Sequence, residues 1–135
     1  MPRRKPSQEP EPTPEGLAIA RRIKDLSGRL RIEQKELQIR SGVDQSTVSR
    51  LMNGRTADPK SSTAARIATV LGTTVEYLVY GLPPGEELAR RLAAEARIAR
   101  RAYLLSKEGL ADLSDEEREI EAHRIEERDD DEGDG

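Results

Sequence analysis

A cluster of polar residues near position 50 has the residue types and the spacing needed to hydrogen bond to the edges of DNA bases. If Val48 and Leu51 face inward on a helix, the outward face carries four polar side chains: Gln45, Ser46, Ser49 and Arg50. Glutamine can hydrogen bond bidentately to adenine, arginine to O6 and N7 of guanine, and serine to either base. Each residue taken alone is equally well explained as an exposed polar side chain, so the indication of base recognition comes from the set.

Two short helices separated by a sharp turn would position this polar face. The first is predicted over 34–41, and Gly42 ends it because glycine readily adopts the left-handed conformation that such a turn needs. Asp44 is a favourable N-cap for the second helix, predicted over 45–52 and closed by Asn53 and Gly54. Two helices joined by a turn of about three to four residues can cross only if apolar side chains fill the wedge between them. The residues available for this wedge are Leu37, Val43, Val48 and Leu51.

Three more helices are predicted around this pair, and residues 14–82 show no credible strand pattern. Thr13 and Pro14 favour a helix start, and apolar residues at steps of three and four continue this helix to an end near Ser27 and Gly28. After a loop over 56–62, a fourth helix is predicted over 62–71, and a fifth, capped by Thr74, stops at Gly81. The fold class is therefore all-α, a five-helix domain over 14–82 with a core of Leu, Ile, Val and Ala. The inward residues predicted in these three helices are Leu17, Ala20, Ile23, Leu26, Leu30, Ala64, Ile67, Ala68, Leu71, Val75, Leu78 and Val79.

The stretch from Gln34 to Gly54, QKELQIRSGVDQSTVSRLMNG, resembles the helix-turn-helix domains of the bacteriophage Cro/C1 repressor (XRE) family in residue type and spacing. The resemblance extends over 16–82, with one helix before the pair and two after it. It implies a repressor-like fold that binds double-stranded DNA, usually as a homodimer, with the helix over 45–52 in the major groove. It also implies base reading by Gln45, Ser46, Ser49 and Arg50. Phosphate contacts are implied at matching family positions, which are Gln34, Thr47, Asn53 and Arg55.

Three residues depart from the pattern of that family. Glu33 stands where Ser or Thr more often caps the second helix, Gln38 where a small residue is common, and Ser61 where an apolar residue is frequent. Asp44 is predicted to cap its helix rather than to contact DNA, since phosphates repel a carboxylate.

The charge of the chain is divided unevenly. Residues 16–82 carry a net charge of +5, residues 83–107 carry +3, and residues 108–135 carry −11. A basic body is typical of a protein that binds a polyanion. The acidic segment 108–135, predicted to be partly helical or disordered, has three interpretations: a solubilising end, a docking segment for a protein partner, or a mimic that competes with DNA for the basic body. Ser114 and Glu117 form a capping-box pattern, which predicts a helix over 115–128.

Two further segments flank the predicted domain. Residues 1–13 contain Pro2, Pro6, Pro10 and Pro12, which predicts a disordered, extended arm. Residues 83–107 predict an amphipathic helix, which we interpret as a dimer interface; it could instead pack on its own domain or extend the contact with DNA. Its apolar positions are Leu88, Leu92, Ala96, Ala99 and Tyr103, and its other faces carry Arg90, Arg91, Arg97, Arg100 and Arg101.

Enzymatic, cofactor and metal functions are not expected. The chain has no Cys, no glycine-rich phosphate loop, and one histidine, His123, in the acidic region where a surface position is expected. The Ser–Lys peptidase domain that some repressors carry is not expected in the polar, helical residues after the domain. No apolar run is long enough for a membrane span, and the basic N-terminus is followed by Pro and Glu rather than by the apolar stretch of a signal peptide. A cytoplasmic location is expected.

The sequence thus favours a DNA-binding transcriptional regulator, with a repressor the commonest role in the family. Two alternatives stay open. One is an antitoxin-like regulator whose C-terminal region binds a toxin, and the other is an adaptor whose helix-turn-helix has lost DNA binding.

Overall fold

The computed structural model describes residues 10–107 and 114–133, without the side chains of residues 118 and 128–133, and all regular structure in these ranges is helical. The all-α prediction is confirmed, with five helices followed by a helical extension. The helices are α1 Pro14–Leu30, α2 Gln34–Ser41, α3 Gln45–Met52, α4 Ser61–Leu71, α5 Val75–Tyr80, α6 Glu86–Lys107 and α7 Asp115–Gly133. The N-terminal arm falls mostly outside the described residues, as do residues 108–113.

Helix α1 starts as predicted but ends later. Thr13 Oγ1 accepts a hydrogen bond from Gly16 N at 3.0 Å, and Pro14 occupies the first turn. The predicted end near Gly28 is wrong, because the helix continues to Leu30 and Arg31 takes the left-handed conformation, with φ of 59°. Leu30 packs against the core, and this burial outweighs the cost of about 1 kcal/mol that an interior glycine imposes.

All five helices from α1 through α5 contribute to one apolar core. Its most deeply buried members are Ile19, Ile23, Leu37, Val48, Ile67, Leu71 and Leu78. Leu17, predicted to face inward, is half-exposed and lies against Gly54, while Ile19 takes the inward place that periodicity did not assign to it. The helical repeat allowed either residue, and the position of α3 against α1 selects Ile19.

Helix α6 packs back on its own domain. At the end of α4, Gly72 has a φ of 71°, and a Cβ there would stand 2.6 Å from Ala96 Cβ and 2.9 Å from the Leu92 carbonyl oxygen. The inward face of α6 differs from the predicted one, since Ala99 is exposed whereas Arg100 is buried with Leu104. Ala96 and Arg100 face the domain, whereas Leu104, a further step of four along α6, belongs to the core that α6 forms with α7.

Helix α7 adds a second, smaller core. Leu104 and Leu105 of α6 pack against Ala122 and Ile125 of α7. Arg101 joins the two helices, with Nη1 3.1 Å from Glu119 Oε2 and Nε 3.1 Å from Glu126 Oε1. The pKa of Arg101 is raised, mainly by its hydrogen bond to Glu126. The negative charges of Glu126 and Glu119 add to this effect.

The boundaries of α7 can be compared with the predicted ones. The predicted helix start is confirmed, because Ser114 Oγ accepts from Glu117 N at 3.3 Å; the Glu117 carboxylate accepts from the Ser114 hydroxyl at 2.7 Å rather than from the Ser114 N–H of a full capping box. The helix extends to Gly133 rather than to 128. A helix that has formed its first turn gains one hydrogen bond for each residue added, and Gly133 is the first strong helix breaker after residue 128.

Candidate nucleic-acid interface

Helices α2 and α3 form the predicted pair with the predicted boundaries. Gly42 has a φ of 72°, and its N–H donates to the Gln38 carbonyl oxygen at 3.0 Å. Ser41 Oγ accepts a hydrogen bond from Val43 N at 3.2 Å, so the N–H of the buried Val43 has a partner within the turn. Glu33 precedes α2 without a side-chain capping hydrogen bond, in keeping with its departure from the family pattern. All four predicted wedge residues are buried: Leu37, Val43, Val48 and Leu51.

The end of α3 is fixed by the start of α1. Thr13 N donates to the Gly54 carbonyl oxygen at 3.2 Å, and a Cβ on Gly16 would overlap that same oxygen. Gly54 in turn has a φ of 75° and lies against Leu17. The two helices approach so closely that neither glycine position has room for a side chain, which sets the direction of α3 relative to the domain.

Asp44 caps α3, as predicted. Its Oδ2 accepts hydrogen bonds from Thr47 N at 3.2 Å and from Ser46 Oγ at 2.7 Å, and its Oδ1 accepts from Thr47 Oγ1 at 2.7 Å. The hydrogen bond from the Thr47 side chain, followed by those from the Ser46 side chain and the Thr47 backbone, lowers the pKa of Asp44 from 3.8 to about 2. The Asp44 carboxylate is therefore ionised at neutral pH and holds two hydroxyl groups at the first turn of α3.

This cap decides what Ser46 and Thr47 can offer to DNA. Both hydroxyl protons are donated to Asp44, so in this arrangement Ser46 Oγ and Thr47 Oγ1 are acceptors only. Ser46 can thus accept from an amino group of adenine or cytosine. A phosphate oxygen is itself an acceptor, so the predicted phosphate contact of Thr47 requires its hydroxyl to leave Asp44.

The predicted base-reading residues lie on one face of α3. Gln45, Ser46 and Arg50 are exposed and Ser49 is half-buried. Arg50 Nε donates to the Ser46 carbonyl oxygen at 3.2 Å, which holds the side chain along the helix with both Nη groups still able to donate. Ser49 Oγ accepts from Asn53 Nδ2 at 3.3 Å, so the proton of Ser49 is still able to donate.

The predicted phosphate-contacting residues fall at helix ends. Gln34 is the first residue of α2 and is half-buried. Asn53 follows α3 as its exposed C-cap, and Arg55 comes directly after the turn, with its N–H donating to the Arg50 carbonyl oxygen at 2.9 Å. The pair of helices therefore brings Asn53 and Arg55 to one end of α3 and places Gln34 on the neighbouring helix.

A buried ionic network that the sequence did not indicate joins α6 to α2. Arg100 Nη2 donates to the Arg31 carbonyl oxygen at 2.8 Å, and Arg100 Nε lies 3.3 Å from Glu36 Oε2. Glu36 also pairs with Arg40 at 3.0 Å, and the Arg40 guanidinium lies 5.6 Å from the centre of the Tyr103 ring. The only signal in the sequence was that Arg100 lies four residues from both Ala96 and Leu104.

Two other kinds of site were sought in the described ranges. None of the helices there is both long and apolar enough to cross a membrane. Within the same ranges, no group of three or more His, Cys, Asp or Glu side chains is arranged to hold a metal ion.

Comparison with known proteins agrees with this geometry. Residues 18–78 match the family described as helix-turn-helix domain. Neither the curated proteins nor the solved structures gave a match to this chain. The matched residues run from the first turns of α1 into α5 and contain the whole α2–α3 pair. Residues 18–78 therefore form a helix-turn-helix domain, in agreement with the resemblance of this region to the XRE regulators.

Proposed function

We propose that this protein is a sequence-specific transcriptional regulator, a repressor of the Cro/C1 type, which reads the major groove with α3. One observation carries the proposal: Gln45, Ser46 and Arg50 are exposed together on a helix whose opposite face is buried. A major groove about 12 Å wide admits such a helix. The cap at Asp44 and the contact of Gly54 with α1 hold α3 rigidly, as base readout requires.

Each residue of the reading face has a distinct role. Gln45 pairs with adenine, and Arg50 donates both Nη groups to O6 and N7 of guanine. Ser46 accepts from a base amino group, and Ser49 donates to a base acceptor, because their hydroxyl groups are already oriented by Asp44 and Asn53. Each bidentate pair contributes about 1–3 kcal/mol of discrimination against a wrong base.

Phosphate contacts fix the register of α3 on the duplex. Gln34, Asn53 and Arg55 supply these contacts, and Arg55 is the one cation of the set. Thr47 adds a further phosphate contact when its hydroxyl donates to a phosphate oxygen instead of to the Asp44 carboxylate. With so few contacts per domain, useful affinity at physiological salt calls for two domains on one site.

A homodimer meets that need, with half-sites about one helical turn apart. Large apolar side chains stand exposed at the end of the domain and on α6, with Tyr80 70%, Leu82 61% and Ile98 66% accessible. Covering them in a two-fold interface would remove apolar surface from water. The test is sedimentation equilibrium of the full chain and of the Ile98→Glu and Leu82→Glu variants, which should dissociate at protein concentrations where the wild type is dimeric. A wild type that sediments as a monomer with and without DNA would contradict the dimer.

The DNA-binding proposal is tested by selection from random duplexes. Wild-type protein should enrich one palindromic motif, and the Gln45→Ala/Arg50→Ala variant should lose or relax it. The matched control is Arg90→Ala/Arg91→Ala, which removes two exposed cations of α6 and should enrich the same motif as the wild type. Absence of enrichment by the wild type, or binding that depends on salt but not on Gln45 and Arg50, would contradict sequence-specific readout by α3.

A further inference from the structure

A groove of about 760 Å³ lies between the end of α1, α2 and the second half of α6. Small-molecule sites commonly enclose about 300–1,000 Å³, so the groove is large enough for an organic ligand. The residues that define it include Ser27, Ile32, Lys35, Ile39, Tyr103 and Lys107.

The walls of the groove combine apolar surface with an excess of cations. Ile32 and Leu104 are buried, and Tyr103 adds an aromatic ring. The groove is lined by four cationic and two acidic side chains. The cations are Arg31, Lys35, Arg100 and Lys107, and the carboxylates are Glu33 and Glu36. Glu36 is paired with Arg40 and Arg100.

A smaller recess of about 160 Å³ adjoins the groove at Arg31 and Arg100, which line both. It shares two arginines with the groove and adds three more, with Glu126 as its single lining carboxylate. Arginine presents planar donors that suit carboxylate, sulfonate and phosphate groups. The lining arginines are Arg29, Arg31, Arg97, Arg100 and Arg101.

We propose that this groove binds an amphipathic organic anion. The flat apolar part of the ligand packs on Ile39 and Tyr103, which keep accessible surface in the groove, and its anionic head lies against Lys35 and Lys107. The site uses no residue of the reading face, so the proposal does not depend on DNA recognition by α3. Because the groove adjoins the Arg100–Glu36 pair, a ligand there also contacts the network that holds α2.

The test uses 8-anilinonaphthalene-1-sulfonate, an aromatic anion whose fluorescence rises in an apolar site, titrated into the full chain at pH 7. We expect saturable binding of one probe per chain. An excess of 2-naphthoate should displace the probe, whereas equal concentrations of neutral 2-naphthol or of sulfate should not. Equal displacement by 2-naphthol would overturn the requirement for an anion, and displacement by sulfate alone would overturn the requirement for an apolar body.

Variants at Gly28 locate the binding site. Gly28 lines the groove, and a Cβ built there meets no atom within 4 Å, so the Gly28→Phe variant is designed to place a ring at the groove. We expect it to weaken probe binding roughly tenfold or more, whereas the matched Gly28→Ala variant keeps the affinity of the wild type. Lys35→Gln/Lys107→Gln replaces two exposed cations and should also weaken binding, with unchanged helix content by circular dichroism.

Two results would overturn the site. One is a probe affinity that stays within about twofold of the wild type in both the Gly28→Phe and the double lysine variant. The other is displacement of the probe by a non-specific DNA duplex, which would assign these cations to phosphate contacts instead. Both are read from the probe alone, so they are distinct from failure of base recognition by Gln45 and Arg50.

Discussion

The buried pair between Arg100 and Glu36 should be essential to the stability of the domain, and its two members should not be equivalent. Their side chains are 8% and 12% accessible. Breaking a buried ion pair by removing one partner costs about 3–5 kcal/mol. Arg100→Met leaves Glu36 paired with Arg40 at 3.0 Å but leaves the Arg31 carbonyl oxygen without its hydrogen bond from Arg100. We therefore expect a loss near the lower end of that range, about 3 kcal/mol.

Glu36→Gln should cost more than Arg100→Met. Glu36 is the carboxylate that both Arg40 and Arg100 contact, so its neutralisation leaves two poorly exposed guanidinium groups beside each other. The expected loss is about 4–5 kcal/mol, a large part of the stability of about 5–15 kcal/mol that a domain commonly has. The matched control is Arg97→Met, an exposed arginine on the same helix, which should change stability by less than about 0.5 kcal/mol.

Urea denaturation followed by circular dichroism measures all three variants. Two outcomes would refute the reasoning: a cost for Arg100→Met no larger than that for Arg97→Met, or a cost for Glu36→Gln smaller than that for Arg100→Met. The double variant Arg100→Met/Glu36→Gln should lose less than the sum of the single variants, because both single variants lose the same Arg100–Glu36 contact, which can be lost only once.

Three further predictions concern α3, α1 and α7. Asp44→Ala should destabilise α3 at neutral pH. Since its folded pKa is lowered from 3.8 to about 2, the contribution of Asp44 is complete above the ordinary value and lost as the pH falls through about 2. An NMR titration should therefore give a midpoint near 2, and a midpoint of 3.8 would contradict the cap. Gly28→Ala should raise the free energy of unfolding by about 0.5–1 kcal/mol, because the added methyl group meets no neighbour within 4 Å; a loss of stability would be the contrary result. Deletion of residues 108–135, which carry a net charge of −11, should tighten binding to a non-specific duplex at low salt roughly three- to tenfold, and an unchanged affinity would show that the acidic segment does not compete with DNA.

The parts of the fold that the sequence predicts well are those decided by neighbouring residues. The boundaries of α2 and α3 follow from Gly42 and Asp44, whose hydrogen bonds reach residues four and three positions away in the chain. The end of α1 is different, because Gly28 is a strong local stop signal that the packing of Leu30 on the core overrides. Local signals therefore predict helix boundaries until burial at a distant contact outweighs them.

The burial of Arg100 lies beyond such local reasoning. Its partners, the Arg31 carbonyl oxygen and Glu36, are 69 and 64 residues away in the chain. An arginine at a four-residue step from Ala96 and Leu104 ordinarily predicts an exposed side chain, since a buried cation requires a partner that the pattern does not show. The set of residues on α3 was predictable because helix geometry alone places them, whereas the direction of each hydroxyl proton depended on Asp44 and Asn53.

Base recognition by α3 is tested most directly by fluorescence anisotropy on the selected duplex and on a non-specific one, over a range of salt concentrations. We predict that Arg50→Ala loses about 1–3 kcal/mol on the selected duplex and relaxes the preference at one guanine. Arg55→Ala should instead weaken both duplexes alike and reduce the slope of log K against log salt by about 0.9. If Arg50→Ala retained the full preference of the wild type for the selected duplex, α3 would not be the element that reads DNA.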